Sequence, residues 1–322
     1  MIEAIFVSGE GPSGSSPPGD TGAILRRERR WGLAFVSPWL VGLVLLFMVP
    51  LLASLVLSFT DYELADQDGK PTSWVGFDNW RRVLRDSEVR HGAYITFRFA
   101  VVAIPLGLVV PLALAYIMTL KRLWFRDFFR AMFYLPTMVP FIASIIVWRF
   151  YLNGQFGWFA KLTGLVGYQP PDFIRDPQTA MAALWFISLW GIGNAMIINI
   201  AALNGVPKDL YEAATLDGAG SFRLFKDITV PMISPILFYN LVLSLVGIGQ
   251  YFVVPFALSL GTGNPDGAMN FYTMYFYKQT FRFFQGGYGS ALAWAMFIVI
   301  FGLTAILFWS AKYWVHYEYE EK

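Results

Sequence analysis

The sequence predicts an all-α integral membrane protein with six transmembrane helices. Three observations carry that expectation. Of 322 residues, 56% are hydrophobic, 18% aromatic and only 14% charged, against roughly 25% charged in a soluble domain. Six stretches almost free of charge are each long enough to cross hydrocarbon about 30 Å thick, which takes roughly 20 residues of helix. Between the fourth and fifth lies a segment, 207–231, with too many acidic and basic residues to sit in lipid.

The spans follow in order as 33–59, 99–120, 131–148, 180–203, 232–260 and 291–313, within a membrane domain of 31–315. The third is the shortest, and Arg149 at its end is placed to snorkel toward the headgroups. Pro38, Pro50, Pro105, Pro111, Pro140, Pro235 and Pro255 fall in or beside these runs, where neighbouring helices can satisfy the freed backbone groups. Residues 1–30 read as a disordered basic tail, Gly-, Pro- and Ser-rich through Gly22, and 316–322 as a short second tail. The first apolar run is longer than a signal-peptide core and starts without a small-residue cleavage pattern. With its basic flank it reads as a signal anchor.

Orientation follows from Lys and Arg near the span ends. Arg26, Arg27, Arg29 and Arg30 precede the first span; Lys121, Arg122, Arg126 and Arg130 join the second to the third; Lys208, Arg223 and Lys226 lie in the polar loop. All three segments fall on one side of a six-span protein, so that side is expected to be cytoplasmic, with both termini there. The longer 61–93 loop holds Arg81, Arg82, Arg85 and Arg90 but also Asp61, Glu63, Asp66, Asp68, Asp78, Asp86 and Glu88, and is expected outside.

Several classes are excluded. A net charge of +2 gives no footprint for nucleic acid. Without cysteine there is no disulfide, thiolate nucleophile or Cys-ligated metal. His91 and His316 are the only histidines, and no H-E-x-x-H, P-loop or G-x-S-x-G occurs. No catalytic residue and no metal site is therefore expected. Asp217-Gly218-Ala219-Gly220 lacks a following G-K-[ST] and reads as a turn between two short helices.

The polar loop has its own punctuation. Pro207 suits a first helical turn, Lys208 to Leu216 form a short helix, and Asp217-Gly218 stop it. Ser221 is placed to N-cap a second short helix through Ile228, with Pro231 ending it. Glu212-Ala213-Ala214, Gly218 four residues later, then Ile228 and Pro231, resemble the EAA loop of ABC-importer membrane subunits. Asp209-Leu210-Tyr211 and Leu216-Asp217-Gly218-Ala219-Gly220 are similar to its sugar branch. Ser37-Pro38-Trp39-Leu40, Phe77-Asp78-Asn79-Trp80, the 129–136 run, Trp148-Arg149-Phe150, Asn153-Gly154 with Gly157, and Gly287-Tyr288-Gly289-Ser290-Ala291 extend the likeness from Trp31 to Lys312. The group is that of maltose, glycerol-phosphate and multiple-sugar permeases. The chain resembles its short six-span relatives of the maltose transporter's larger membrane subunit.

The resemblance implies a type I ABC importer permease fold, with 207–231 as the cytoplasmic coupling loop and Glu212, Ala213, Ala214, Asp217 and Gly218 as ATPase-coupling residues. Implied partners are a second homologous permease subunit, two ATP-binding cassette ATPases that carry ATP and Mg, and an external solute-binding protein. The setting is the lipid of the cell (inner) membrane, and the cargo a sugar, expected to be a di- or oligosaccharide. Alternatives are a permease for a non-sugar solute such as glycerol phosphate or a polyamine, and a secondary carrier.

Polar groups within apolar helices mark a candidate substrate path, because they are expensive to bury without purpose. The fourth span offers Ser188, Trp190, Asn194 and Asn199; the fifth offers Asn240, Ser244, Gln250 and Tyr251. Neutral amides and hydroxyls beside aromatic faces suit a sugar. The resemblance adds Gly191 and Ile192 to one wall, and Gly247 and Ile248 to the other. The competing reading is hydrogen bonding between helices.

Overall fold

The computed structural model describes residues 21–65, 69, 71–120 and 123–316. Lys121, Arg122, Asp66, Asp68 and, of the expected tails at 1–30 and 316–322, residues 1–20 and 317–322 lie outside the described residues. Two compact units, Met1–Ser54 and Leu55–Lys322, divide the chain.

α1 (Thr21–Leu43) runs through a π-helical turn at Val44–Met48 into α2 (Val49–Leu57), whose last residues, from Leu55, belong to the second unit. Residues 21–30, expected in a disordered tail, are helical. Ala23 to Trp31 hold no Gly or Pro and are rich in Arg, with Ala, Leu and Glu among them, which form helix readily. The stretch Arg26–Leu57 is long and apolar enough to span a membrane.

Beyond the end of α2, the second unit holds α3 (Asp78–Arg85), α4 (Ser87–Thr119), α5 (Arg126–Tyr134), α6 (Phe141–Tyr151), α7 (Trp158–Gly164), α8 (Ala180–Ser188) and α9 (Gly193–Gly205). Then come α10 (Lys208–Leu216), α11 (Ser221–Leu224), α12 (Val230–Met232), α13 (Ser234–Gly249), α14 (Val253–Ser259), α15 (Tyr272–Tyr277) and α16 (Gly286–Ala311). No strand occurs among the described residues, only an isolated bridge between Thr60 and Trp74.

Ser87–Thr119, Ser234–Ser259 and Gly286–Ala311 can each cross a membrane, whereas the third and fourth expected spans are broken. The third bends by 101° between Arg126–Met138 and Phe141–Tyr151. Pro140 forces this, because the residue before a proline is pushed out of the helical region, and Val139 sits at ψ 133°. The fourth bends by 52° at Gly191–Gly193. A side chain at Gly193 would come within 2.6 Å of the Phe133 carbonyl, so the close approach of α9 to α5 requires glycine there. α4 packs chiefly on α9, and then on α13 and α15. The main core gathers Phe99, Ile145, Met181, Leu184, Phe271 and Met274.

A polar clasp closes the face expected outside. Asp86 caps α4 by accepting from the Glu88 N–H, and its Oδ2 also accepts from Tyr275 Oη at 2.5 Å and Tyr288 Oη at 2.8 Å. Arg82 lies over the Tyr288 ring and donates to Gln285. Burial alone would raise the Asp86 pKa, but the two tyrosines, the Glu88 amide and the Arg82 charge outweigh it and hold the carboxyl below its usual 3.8. Burial, with the bond to Asp86, pushes the Tyr275 hydroxyl up to about 12, so it stays a donor. A depressed carboxylate stabilises the fold above its unfolded value, and that contribution disappears as pH falls through the lowered folded value. Melting curves taken from neutral pH to below 3.8 should therefore show an acid-labile component that Asp86→Asn removes.

The start of α16 is pressed against the chain leaving α2. The Gly287 N–H donates to Tyr62 O at 2.7 Å, and a Cβ at Gly287 would collide with the Thr60 carbonyl oxygen. Gly287→Ala should destabilise the protein by about 1–3 kcal/mol, the usual penalty of overpacking, read as a lower melting temperature.

Candidate functional site

The polar loop is built from short helices joined at a glycine cap. α10 starts after Pro207, whose extended backbone (ψ 132°) turns the chain, and it runs over Lys208–Leu216 as the sequence predicts. Gly218 adopts φ +81°. Its N–H donates to Thr215 O at 3.0 Å, and the Ala219 N–H donates to Ala214 O at 2.9 Å. These paired bonds form a Schellman cap, which needs a left-handed residue where glycine is favoured.

Beyond the cap the structure departs from expectation. Gly220, not Ser221, occupies the cap of α11, and no side chain caps it. Pro231 does not end the helix either. The path continues through a π-helical turn, Phe225–Thr229, into α12, where proline falls in the first turn and its missing N–H is harmless. Tyr211 Oη lies 2.9 Å from Thr229 Oγ1, tying α10 to this base. The Phe225 ring meets Tyr116 of α4 edge-on at 5.0 Å. Glu212, Ala213, Asp217 and Gly218 are exposed and Ala214 is half-buried. Leu216 and Phe222 are 89% and 79% exposed, so the projection carries apolar side chains on its outer surface.

The second site is a cavity of about 380 Å³ between α6, α8, the turn at 189–192 and the break after α13. Its lining includes Ser188, Trp190, Gly191, Asn194 and Tyr251. Trp190 stands edge-on to Trp148 at 5.2 Å. The Tyr251 ring stacks on Phe99 at 4.4 Å, and its backbone oxygen accepts from Thr273 Oγ1 at 2.8 Å. The Tyr251 hydroxyl oxygen is buried and has no hydrogen-bond partner among the described residues. Ser188 donates to Trp185 O at 2.6 Å, which leaves its lone pairs to accept.

The other expected path residues lie elsewhere. Ser244, Gly247 and Gln250 do not line this cavity; Ile248 lines a separate apolar groove between α4, α13 and α16. α13 ends at Gly249 with Gln250 as its cap, so Tyr251 leaves the helical register that would have aligned it with Ser244. Asn240 Nδ2 donates to Asn199 Oδ1 at 3.2 Å in a buried contact, the interhelical bond that was the competing reading. Sequence reasoning missed the third-span contribution of Thr137, Ser144 and Trp148. Its signal was present: Thr137 stands between Pro136 and Pro140, and Ser144 interrupts the apolar run that follows.

Residues 103–315 match the family described as binding-protein-dependent transport system inner membrane component. The chain is 33% identical over 301 residues to the probable ABC transporter permease protein YesP of Bacillus subtilis, covering 92% of this chain and 96% of that one. It is 28% identical to the trehalose/maltose transport system permease protein MalF of Thermococcus litoralis, covering 89% and 95%. A bacterial alginate ABC transporter, crystallised with a periplasmic protein bound to alginate pentasaccharide, superposes with a TM-score of 0.78 at 18% identity, covering 88% and 95%, which shows a shared fold. The chain belongs to the inner-membrane components of binding-protein-dependent transport systems: it is a multi-pass permease subunit of the ABC type.

Proposed function

We propose that this subunit forms half of the translocation path of a sugar importer and couples it to ATP hydrolysis in partner subunits. The observation that carries the reading is the placement of the capped projection on the connection between two spans that line the Trp190 cavity. Its exposed Leu216, Phe222 and Glu212 form the surface offered to an ATPase cleft. Glu212 would accept hydrogen bonds there, and Ala213 and Ala214 would keep the helix thin. In the cavity, Trp190 would cover a sugar's C–H face while Asn194, Ser188 and Tyr251 meet its hydroxyls. The names of relatives, which include trehalose/maltose, lactose and starch-degradation transport, support a saccharide.

The assembly would hold a second related permease, two ATPases that bind ATP and Mg, and an external binding protein. Closure of the ATPases would press on α10 and rock α8, α9 and α13. Both termini would be cytoplasmic. Reporter fusions should place 65–73, 164–171 and 261–267 outside, and removal of the C-terminal tail by external protease on intact cells would overturn that orientation. Cysteines at Ala214 and in the ATPase cleft should crosslink, cleanly because the chain has none of its own; absence of any crosslink in an active complex would end the coupling assignment.

A further inference from the structure

α6 has two different sides. Ser144, Ile145 and Trp148 line the Trp190 cavity, whereas Ile146, Arg149 and Phe150 turn away from it and line a separate recess of about 270 Å³. Asn153, Asp172 and Arg175 complete the polar lining of that recess, and the buried Ile174 and Leu258 add apolar surface. Its rim is Ile146, Phe150 and Phe156, all three exposed.

The recess sits where an apolar helix ends. Arg149 is in the last turn of α6, and the chain then passes through the polar Asn153-Gly154-Gln155 into the short α7. α7 and the residues after it expose Trp158, Leu162, Leu165, Val166 and Tyr168. Trp and Tyr of this kind collect at headgroup level, and a long arginine side chain at a span end reaches toward the same layer. The rim therefore meets acyl chains while the guanidinium meets headgroups.

Two guanidiniums stand there with one carboxylate, and that carboxylate is already engaged. Asp172 Oδ2 accepts from Asn153 Nδ2 at 3.0 Å, and its Oδ1 accepts from the Ile174 and Arg175 N–H groups at 3.2 and 3.1 Å. Arg175 Nε stands 4.0 Å from Asp172 Oδ2. Arg149 is half-buried, and its guanidinium has no hydrogen bond or ion pair among the described residues. A recessed cation without a partner is costly unless an anion arrives. The planar guanidinium fork matches two phosphate oxygens at once. A free phosphate would satisfy Arg149 and leave the apolar rim bare; a phospholipid covers both.

We propose that this recess binds an anionic phospholipid, with its phosphate on Arg149 and its acyl chains along Ile146 and Phe150. The assignment depends on α6 crossing the membrane and not on the proposed sugar path.

The test uses the complete transporter in mild detergent. Lipids that survive delipidation are counted by native mass spectrometry while phosphatidylglycerol or phosphatidylcholine is added back. Wild type should prefer phosphatidylglycerol. Arg149→Gln should reduce that preference by about tenfold or more, the usual effect of losing a charged hydrogen bond. Arg149→Lys keeps the charge without the fork and should fall between the two. Ile146→Ser should weaken phosphatidylglycerol without changing the charge, because a chain contact is lost. Glycerol phosphate, which carries the same anionic group without chains, should not displace the lipid. A preference unchanged in Arg149→Gln, equal retention of the two lipids by wild type, or displacement by glycerol phosphate at the lipid's own concentration would each overturn the proposal. Should Arg149→Gln fail to fold, the Ile146→Ser variant and the glycerol phosphate competition still decide it.

Discussion

Gly218→Pro should abolish coupled transport while leaving the external binding protein's sugar affinity untouched. Proline fixes φ near −65°, and the native value is +81°. It also lacks the N–H that donates to Thr215 O, so both halves of the cap are lost together. The local cost is about 3 kcal/mol or more, enough to redirect α10. Gly218→Ala should be milder, at about 1–2 kcal/mol for a left-handed alanine. Gly218→Asn should be milder still, because asparagine tolerates that region. The measurement is ATPase association and sugar uptake per ATP hydrolysed in reconstituted vesicles. A graded loss in the order Pro, Ala, Asn identifies the cap as the cause. Full coupling in the proline variant would show that the orientation of α10 is irrelevant.

The second large effect is expected in the cavity. Trp190→Ala and Tyr251→Phe should each slow uptake. Removing the tyrosine hydroxyl leaves a buried sugar group unpaired, at about 1–3 kcal/mol, or roughly tenfold in rate for each 1.4 kcal/mol. Ser244→Leu serves as the control, since Ser244 is outside the cavity lining and should transport near the wild-type rate. Expression and ATPase association of all three should match wild type. Slow uptake by Ser244→Leu alongside normal uptake by the other two would move the path to the opposite face of α13.

The features legible in the sequence were those set by local rules. α10 could be bounded because Pro207 and Gly218 mark its ends chemically, and the apolar runs could be located because charge cannot enter hydrocarbon. What sequence periodicity could not give was where a span breaks. It treats 180–203 and 232–260 as uninterrupted cylinders, yet the turn at Leu189–Gly191 and the gap between Gly249 and Val253 each reset the angular register. Ser188 and Asn194 still share the cavity across their break, whereas Tyr251 and Ser244 are separated by theirs. The third wall depended on a 101° bend, which Pro140 announces without saying which side chains it will turn inward. The extra length of α4 escaped for a different reason. Hydropathy reports lipid depth, while the helix begins at Ser87, where Asp86 caps it.

The Asn199–Asn240 bond gains a mechanical meaning from its place in the chain. It joins residues 41 apart that flank the projecting loop, and Tyr211–Thr229 adds a second crosspiece 18 residues apart nearer the tip. Two crosspieces make the segment a braced strut instead of a hinged arm. Under the proposed coupling, a braced strut would have little compliance, so a displacement at Leu216 would arrive at the membrane as rotation of α9 and α13 together, with little dissipated in bending. Cutting the upper crosspiece, for example with Asn240→Leu, would keep both ends folded and leave the stroke slack, so hydrolysis would continue while less of each cycle reached the cavity.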